Sequence, residues 1–274
     1  MLFLPGGPNA AATWAYVAGR TRGVRWLLVD RPGTGLSEPP REVPTPATLP
    51  TFVEALVGDL LDGLGLDRAG IAGSSFGGYC ALRGAAAHPD RVSAVLLAGC
   101  PAFVPGWTAP SFFTLLRTPL IGRLLLSLPV TDASARLGLR QMGHARSLAE
   151  GTISAPMLDW VRTWQRDTET MRHDAAMIVA CGTRRDGFAP ELDLTASTLG
   201  AVRAPVRIQI GTDDVVGGPE VAARLASLLP DASVETWEHA GHLPWLDRPL
   251  ETAAGAELHF GASSAERRLR SPRA

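Results

Sequence analysis

Short apolar runs alternate with helical stretches along most of this 274-residue chain, and this alternation limits the fold more than any other feature. The runs end at Gly, Pro or Asp and cover residues 2–4, 24–29, 70–73, 92–98, 206–210 and 233–237. Short runs rich in apolar residues are typical of strands buried on both faces. Apolar residues at helical spacing lie between them at 48–64, 77–88 and 219–229. The sequence therefore predicts an α/β fold with a mostly parallel, doubly wound sheet.

The alternation stops between residues 101 and 202, where helical periodicity replaces the apolar runs. A helix that starts near Ser154 is expected to place large apolar residues on one stripe, namely Met157, Trp160, Val161, Trp164 and Met171. We therefore predict a core made of residues 1–100 and 203–260, with a helical cap inserted at 101–202. The segment 261–274 is rich in Arg and poor in apolar residues, which predicts a disordered tail.

Charge and cysteine content exclude several classes of protein. The chain has 26 basic and 27 acidic residues, a net charge of −1, which argues against a nucleic-acid partner. Its three cysteines have no paired spacing, so neither a disulfide framework nor a zinc site is expected, and no other metal or cofactor is indicated. Without a signal peptide or a long apolar stretch, we expect a cytoplasmic protein with no membrane span. The sequence indicates no oligomeric state.

Residues 70–79 join a predicted strand to a predicted helix and contain the pattern Gly-x-Ser-x-Gly. In such a nucleophile elbow the Ser lies in a strained turn, and the positions two before and two after it have no room for side chains. Gly73 and Gly77 meet that demand only if Ser75 is the nucleophile, whereas choosing Ser74 would put side chains at both positions. The alternative is a Gly-rich turn that closes a core strand.

A Ser hydroxyl needs a His base that is itself oriented by a carboxylate. Asp213 and Asp214 follow the predicted strand at 206–210. His239 and His242 follow the predicted strand at 233–237. The chain thus presents Ser, then an acid, then His, although the residues alone leave both choices open.

This order of residues resembles the α/β-hydrolase family, whose members carry a Ser-Asp-His triad. The family's acid turn (strand, Gly, two residues, acid) implies Asp214, and its Gly-His pair implies His242. The resemblance also implies an oxyanion hole made by the amides of Phe76 and Gly7. The loop that carries Gly7 is similar to the family's His-Gly-x-Pro loop, but Pro5 replaces the His.

Two further stretches are compared with the family pattern. Residues 30–37 are similar to its Asp-x-x-Gly-x-Gly-x-Ser stretch, which we interpret as structural. Family members usually have two strands before the oxyanion loop, whereas here the run at 2–4 already leads into it. The run at 24–29 would then be an uncovered sheet edge, which natural sheets avoid. We therefore expect a core that lacks the first two strands, and a native reading frame that extends upstream by about 20 residues or more.

The resemblance implies a cofactor-independent serine hydrolase. Its expected substrate is a small-molecule carboxylic ester, small or medium in size, or a related acyl compound cleaved through an acyl-enzyme. Aromatic residues of the insert are expected to line an apolar pocket, or else to pack the cap helices: Trp107, Phe112, Trp160 and Trp164. The alternatives are a C–C bond hydrolase, a thioesterase or a lactonase with the same triad, and a slow-turnover small-molecule receptor of the same fold.

Overall fold

The computed structural model describes residues 1–183 and 187–270. Among these residues six strands form one sheet in the order β2-β1-β3-β4-β5-β6. Every neighbouring pair is parallel, which confirms the predicted fold class. The strands are β1 (Leu2–Leu4), β2 (Leu27–Leu28), β3 (Ala69–Gly73), β4 (Val92–Ala98), β5 (Val206–Gly211) and β6 (Ala232–Trp237). The strand order reverses between β1 and β3, so the carboxyl ends of these two strands border the crevice in which ligands of open α/β sheets bind.

The helices of the described residues are α1 (Ala15–Ala18), α2 (Leu49–Gly63), α3 (Phe76–Ala87), α4 (Ser111–Arg117), α5 (Pro119–Ser127), α6 (Asp132–Leu139), α7 (Ala145–Glu150), α8 (Ala155–Asp167), α9 (Thr170–Cys181), α10 (Ala196–Gly200), α11 (Pro219–Leu228), α12 (Pro244–Asp247) and α13 (Pro249–Arg270). Three of them, α2, α3 and α11, match the predicted intervals 48–64, 77–88 and 219–229 closely. Short 3₁₀ turns lie at Ala11–Trp14 and Pro190–Leu192, and a π turn lies at Arg140–His144.

The end of α13 differs from the prediction. The helix continues to Arg270, so residues 261–270 are helical where a disordered tail was expected, and residues 271–274 lie outside the described residues. Ala256 and Phe260 are buried against the sheet and anchor the helix. Several of the residues that follow Phe260 are good helix formers.

Helices cover both faces of the sheet, as its apolar strands require. On one face Leu4, Ile71 and Leu97 pack against residues of α2 and α3. On the other face Phe3 stacks on Trp14 with ring centroids 4.4 Å apart, and residues of α13 close the same cluster. The alternation of side chains along each strand therefore divides the core into two layers.

The strand predicted at 24–29 is reduced to the two residues of β2, at one edge of the sheet. Leu27 N donates to Met1 O at 2.8 Å and Val29 N donates to Phe3 O at 3.1 Å. The chain then leaves the sheet, because the Asp30 carboxylate accepts hydrogen bonds from Ala11 N and Leu36 N. Such a short edge offers little unpaired backbone to another chain.

Between β4 and β5 the described chain contains helices α4 to α10 and no strand of the sheet; here we call residues 101–202 the cap. The stripe predicted for one helix is divided between two, because α8 ends at Asp167 and Met171 lies on α9. Thr168 has extended backbone, and its hydroxyl donates to Trp164 O, which ends α8. Within residues 1–183 and 187–270, none of the helices combines the length and the apolar content that crossing a bilayer requires.

Candidate active site

The turn between β3 and α3 has the geometry of a nucleophile elbow. Ser75 has φ +51° and ψ −118°, a strained conformation for a residue with a side chain. A Cβ on Gly73 would lie 2.3 Å from Gly77 O, and a Cβ on Gly77 would lie 1.9 Å from Leu4 O. Ser74 is fully buried, whereas Ser75 is partly exposed and lines a cavity. These observations favour Ser75 over Ser74 as the reactive serine.

The two candidate acids occupy different environments. The Asp214 carboxylate is buried and accepts three hydrogen bonds, from His242 Nδ1 at 2.8 Å, Val216 N at 2.9 Å and Cys100 N at 2.8 Å. Burial raises the pKa of Asp214, but His242 and the two amide donors outweigh burial and hold that pKa below its ordinary value. Asp213 is exposed, and its carboxylate accepts from the Thr212 hydroxyl. Asp214 is therefore the acid that faces His242.

The two candidate histidines also differ. His239 is exposed, and its N–H donates to the Thr212 hydroxyl. His242 is 3% exposed, and its backbone N–H donates to Met142 O of the π turn at 2.9 Å. Because Asp214 accepts from Nδ1 of His242, Nε2 of the neutral ring is left as the basic nitrogen.

The segment after β4 contacts all three residues of the predicted triad. A Cβ on Gly99 would lie 2.1 Å from His242 O, Cys100 N donates to Asp214 at 2.8 Å, and Ala102 N donates to Ser75 O at 3.1 Å. The structure describes both Ser75 and His242 and has no hydrogen bond between their side chains. Hydrogen bonds of this kind are often long before substrate binds.

Two backbone amides near Ser75 are those predicted to form an oxyanion hole. Phe76 N is the first amide of α3 and has no acceptor within its helix. Gly7 follows Gly6, where a Cβ would lie 2.9 Å from Ser75 Cβ. Among the described residues neither Phe76 N nor Gly7 N donates a hydrogen bond. Both remain available to an anionic oxygen beside Ser75.

A second His–carboxylate pair, which the sequence interpretation missed, holds the loop that carries His242. His144 of the cap is fully buried, and its Nδ1 donates to Asp247 at 2.9 Å. Its Nε2 accepts from Leu243 N at 3.2 Å, and Asp247 accepts from Gly241 N at 2.9 Å. The amides on both sides of His242 are therefore fixed by this pair. Nothing in the local sequence of His144 points to Asp247, which lies 103 positions further along the chain.

Ser75 lines a cavity that is partly open to solvent. Apart from Ser75, Gly7 and Asp174 its lining is apolar: Leu49, Phe76, Ala102, Phe103, Trp107, Pro110, Phe113, Met177, Ile178, Cys181, Phe188 and Val216. Trp107 lines the cavity as predicted. Phe188, Met177 and Asp174 were missed, since in sequence they are isolated residues of helical or loop segments.

Three of the predicted pocket aromatics do not line this cavity. Phe112 packs with Phe113 against the small cluster around Leu116 and Ile178. The helix α8 packs instead on α6 and on the 3₁₀ turn at Ala11–Trp14. Trp164 is buried, whereas Trp160 is 41% exposed and contacts Tyr16 of α1 edge-on. Apart from Trp160, the stripe on α8 is therefore a packing surface, the alternative that the sequence had left open.

The three cysteines do not compete with Ser75 as nucleophiles. All are buried free thiols. Burial raises the pKa of Cys80 to about 12 and that of Cys181 to about 11, and it raises the pKa of Cys100 well above the ordinary value. Their thiolate forms are therefore scarce near neutral pH.

A serine on a strained strand–helix turn, together with an acid and a His from later strand ends of a parallel sheet, is the arrangement of the α/β-hydrolase class. A model of the alpha/beta hydrolase family matches residues 1–255, and the chain belongs to that family.

Known proteins extend this comparison. The 2-hydroxy-6-oxononadienedioate/2-hydroxy-6-oxononatrienedioate hydrolase of Cupriavidus pinatubonensis is 28% identical over 224 residues, covering 80% of this chain and 70% of that protein. The structure of 2-hydroxy-6-oxo-6-phenylhexa-2,4-dienoate hydrolase from Rhodococcus sp. strain RHA1 superposes with a TM-score of 0.71 at 20% identity, covering 95% of this chain and 90% of that chain. Carboxylesterase CesB from Bacillus subtilis gives a TM-score of 0.64 at 20% identity, covering 94% and 82% of the two chains. The two structural likenesses show the fold, and all three proteins are hydrolases by name.

Proposed function

We propose that this protein is a serine hydrolase that cleaves a small or medium carboxylic ester, or a related acyl compound, through an acyl-enzyme. The observation that carries the proposal is the buried His242–Asp214 pair at 2.8 Å, joined through the segment after β4 to a strained Ser75 that opens into an apolar cavity. An apolar cavity suits an apolar acyl or aryl group.

In the proposed reaction Ser75 Oγ attacks the carbonyl carbon of the substrate while His242 Nε2 takes the hydroxyl proton. The carbonyl oxygen becomes anionic and accepts hydrogen bonds from the N–H groups of Phe76 and Gly7. When the tetrahedral intermediate collapses, His242 gives its proton to the leaving alcohol. Water then attacks the acyl-enzyme with His242 as base, which releases the acid and restores Ser75. Asp214 keeps Nδ1 protonated and stabilises the imidazolium.

A C–C bond hydrolase is the second candidate, favoured by the Cupriavidus relative. The compound in its name is a keto-diene dicarboxylate that has no ester bond, so hydrolysis within its carbon chain breaks a C–C bond. Among the described residues that line the Ser75 cavity, however, Asp174 is the one charged group. Arg31 neutralises that carboxylate, so the described lining offers no unpaired cation to hold the two carboxylates of a dianionic substrate. An ester needs no such cation, which is why we place the ester first.

Serine-directed labelling tests the nucleophile. A fluorescent alkyl phosphonate should label the native protein and the Ser74→Ala variant but not the Ser75→Ala variant. Labelling that survives in Ser75→Ala and is lost in Ser74→Ala would contradict the elbow assignment.

Turnover then separates the candidate activities. Nitrophenyl esters of increasing acyl length and a ring-cleavage dienone dicarboxylate are assayed in parallel. We expect the esters to have the higher kcat/KM, and a higher value for the dienone would favour the C–C bond hydrolase. Labelling without turnover in the usual range of about 1 to 10³ s⁻¹ would favour a slow receptor.

A further inference from the structure

The loop that carries Gly7 is held by Arg31, which was not among the predicted site residues. Pro5 stands where the family has His and cannot make a side-chain hydrogen bond. Arg31, which follows β2, donates from Nε to Pro5 O and from Nη2 to Gly6 O, both at 2.8 Å. Its guanidinium also lies over the Phe76 ring, 4.8 Å from the centroid. One cationic fork thus binds two successive carbonyls of the loop.

The contact with Gly6 O has a direct consequence for Gly7 N. Gly6 C=O and Gly7 N–H belong to one planar peptide unit, in which a trans arrangement points the two groups in opposite directions. Fixing the carbonyl therefore fixes the direction of the N–H. A charged donor on the carbonyl also polarises the unit, which makes the N–H a stronger donor.

Arg31 is in turn held from the cap. Asp174 of α9 pairs with Arg31 Nη2 at 3.2 Å, and both side chains are only 4% exposed. A Cβ on Gly7 would lie 2.9 Å from Asp174 Oδ2, while a Cβ on Gly6 would lie 2.9 Å from Ser75 Cβ. The Gly6–Gly7 peptide therefore lies between Ser75 on one side and the Arg31–Asp174 pair on the other.

We propose that Arg31, held by Asp174, is a positioning residue for the Gly7 N–H, so that this oxyanion donor is aligned only while α9 of the cap is seated. The inference rests on the proposed function, since it names a support of the same site. Met177, Ile178 and Cys181 of α9 line the Ser75 cavity together with Asp174. A substrate that packs against α9 thereby acts on the same helix that aligns the oxyanion donor.

The test separates alignment of the oxyanion donor from general support of the fold. The variants are Arg31→Met, Arg31→Lys and Asp174→Asn. The ligands are an aryl trifluoromethyl ketone, which adds to Ser75 and forms a tetrahedral oxyanion, and the matching secondary alcohol, which has a similar shape but forms no oxyanion. The control is Arg207→Met, which breaks an ion pair with Glu235 between β5 and β6.

In Arg31→Met we expect kcat for nitrophenyl esters to fall about 10²- to 10³-fold, the usual effect of losing one oxyanion donor. Affinity for the ketone should fall in parallel, while KM and alcohol affinity change little. Arg31→Lys should recover only part of kcat, because one ammonium cannot reach two carbonyls and a carboxylate as the fork does. Asp174→Asn should cause a smaller loss of the same kind. Arg207→Met should keep kcat and ketone affinity.

Three outcomes would overturn the proposal: unchanged kcat in folded Arg31→Met, equal losses of ketone and alcohol affinity, or full recovery of kcat in Arg31→Lys. If Arg31→Met does not fold, Arg31→Lys and Asp174→Asn decide between the same outcomes. A failure of the proposed function is distinguishable, because the native protein itself would then neither cleave esters nor form the ketone adduct.

Discussion

Replacing Asp214 by Asn forces a choice between two unfavourable amide orientations. In the first orientation the amide oxygen faces the His242 and Val216 donors, so both donors keep an acceptor. The NH₂ group then faces Cys100 N–H, which in the native protein donates to the Asp214 carboxylate at 2.8 Å. In the reverse orientation the NH₂ group meets His242 and Val216, whose donors lie at 2.8 and 2.9 Å. Each unpaired buried donor costs about 1–3 kcal/mol, so the first orientation, which strands one donor instead of two, should predominate.

The two orientations set a range for the loss of activity. In the first, His242 keeps its tautomer but loses the charge that stabilises its imidazolium. In the second, Nδ1 must accept, the proton moves to Nε2, and the ring cannot take the Ser75 proton, a change that costs about 10⁴ in kcat in a comparable triad. We expect a fall of about 10²- to 10⁴-fold, which corresponds to about 2.7 to 5.4 kcal/mol of transition-state stabilisation. KM should change little because Asp214 does not line the cavity.

The assay is steady-state hydrolysis of a nitrophenyl ester, with Asp213→Asn as the matched control. The exposed Asp213 carboxylate contacts the Thr212 hydroxyl, so this variant should retain most of the native kcat. A larger loss in Asp213→Asn than in Asp214→Asn would refute the reasoning, as would near-native kcat in both variants. Thermal unfolding of each variant shows whether a loss of kcat reflects loss of the fold.

Three further predictions follow from the same geometry. Trp107→Leu should change relative kcat/KM across a series of acyl lengths more than it changes the rate with an acetyl ester. Trp160→Leu, the control, alters a residue outside the cavity and should not have this effect. Equal effects of both variants would contradict the cavity assignment. His144→Leu leaves the Asp247 carboxylate buried without its His partner and should cost about 1–3 kcal/mol or more in the free energy of unfolding, measured in urea; an unchanged midpoint would contradict this. The folded-state pKa of Asp214 lies below its ordinary value. The ionised carboxylate should therefore stabilise the fold fully above its unfolded-state pKa, and this contribution should be lost as pH falls through the folded-state pKa. Acid unfolding of Asp214→Asn should accordingly depend less on pH than acid unfolding of the native protein.

The sequence predicted the elbow because its demands are local. Gly73 and Gly77 are required by backbone contacts within a few residues of Ser75 and with β1, and such contacts leave a fixed spacing in the sequence. The choice of Asp214 and His242 needed the family pattern as well. Their neighbours Asp213 and His239 have the same side chains, and only the three-dimensional path of each turn separates them.

The supporting pairs could not be predicted. Arg31 and Asp174 are 143 positions apart in the sequence, and His144 and Asp247 are 103 apart, so no local pattern connects the partners. The stripe on α8 correctly indicated the burial of Met157, Val161 and Trp164 but not of Trp160, which is 41% exposed. Periodicity also does not say which surface a helix covers. Trp164 accordingly belongs to the packing of the cap and Trp160 is partly exposed, while Phe188, without a periodic context, lines the cavity.

The π turn of the cap limits how freely this insert can be exchanged between relatives. Met142 O accepts from the His242 amide, and a Cβ on Gly143, whose φ is +91°, would lie 2.1 Å from Asp213 O. Residues 142–144 thus pack between the turn that carries Asp214 and the loop that carries His242, although they belong to the insert by chain order. A chimaera that replaces the whole of 101–202 would also remove this packing contact. Grafts that leave residues 140–150 in place and exchange only the helices before or after them should therefore preserve the triad while changing the walls of the cavity.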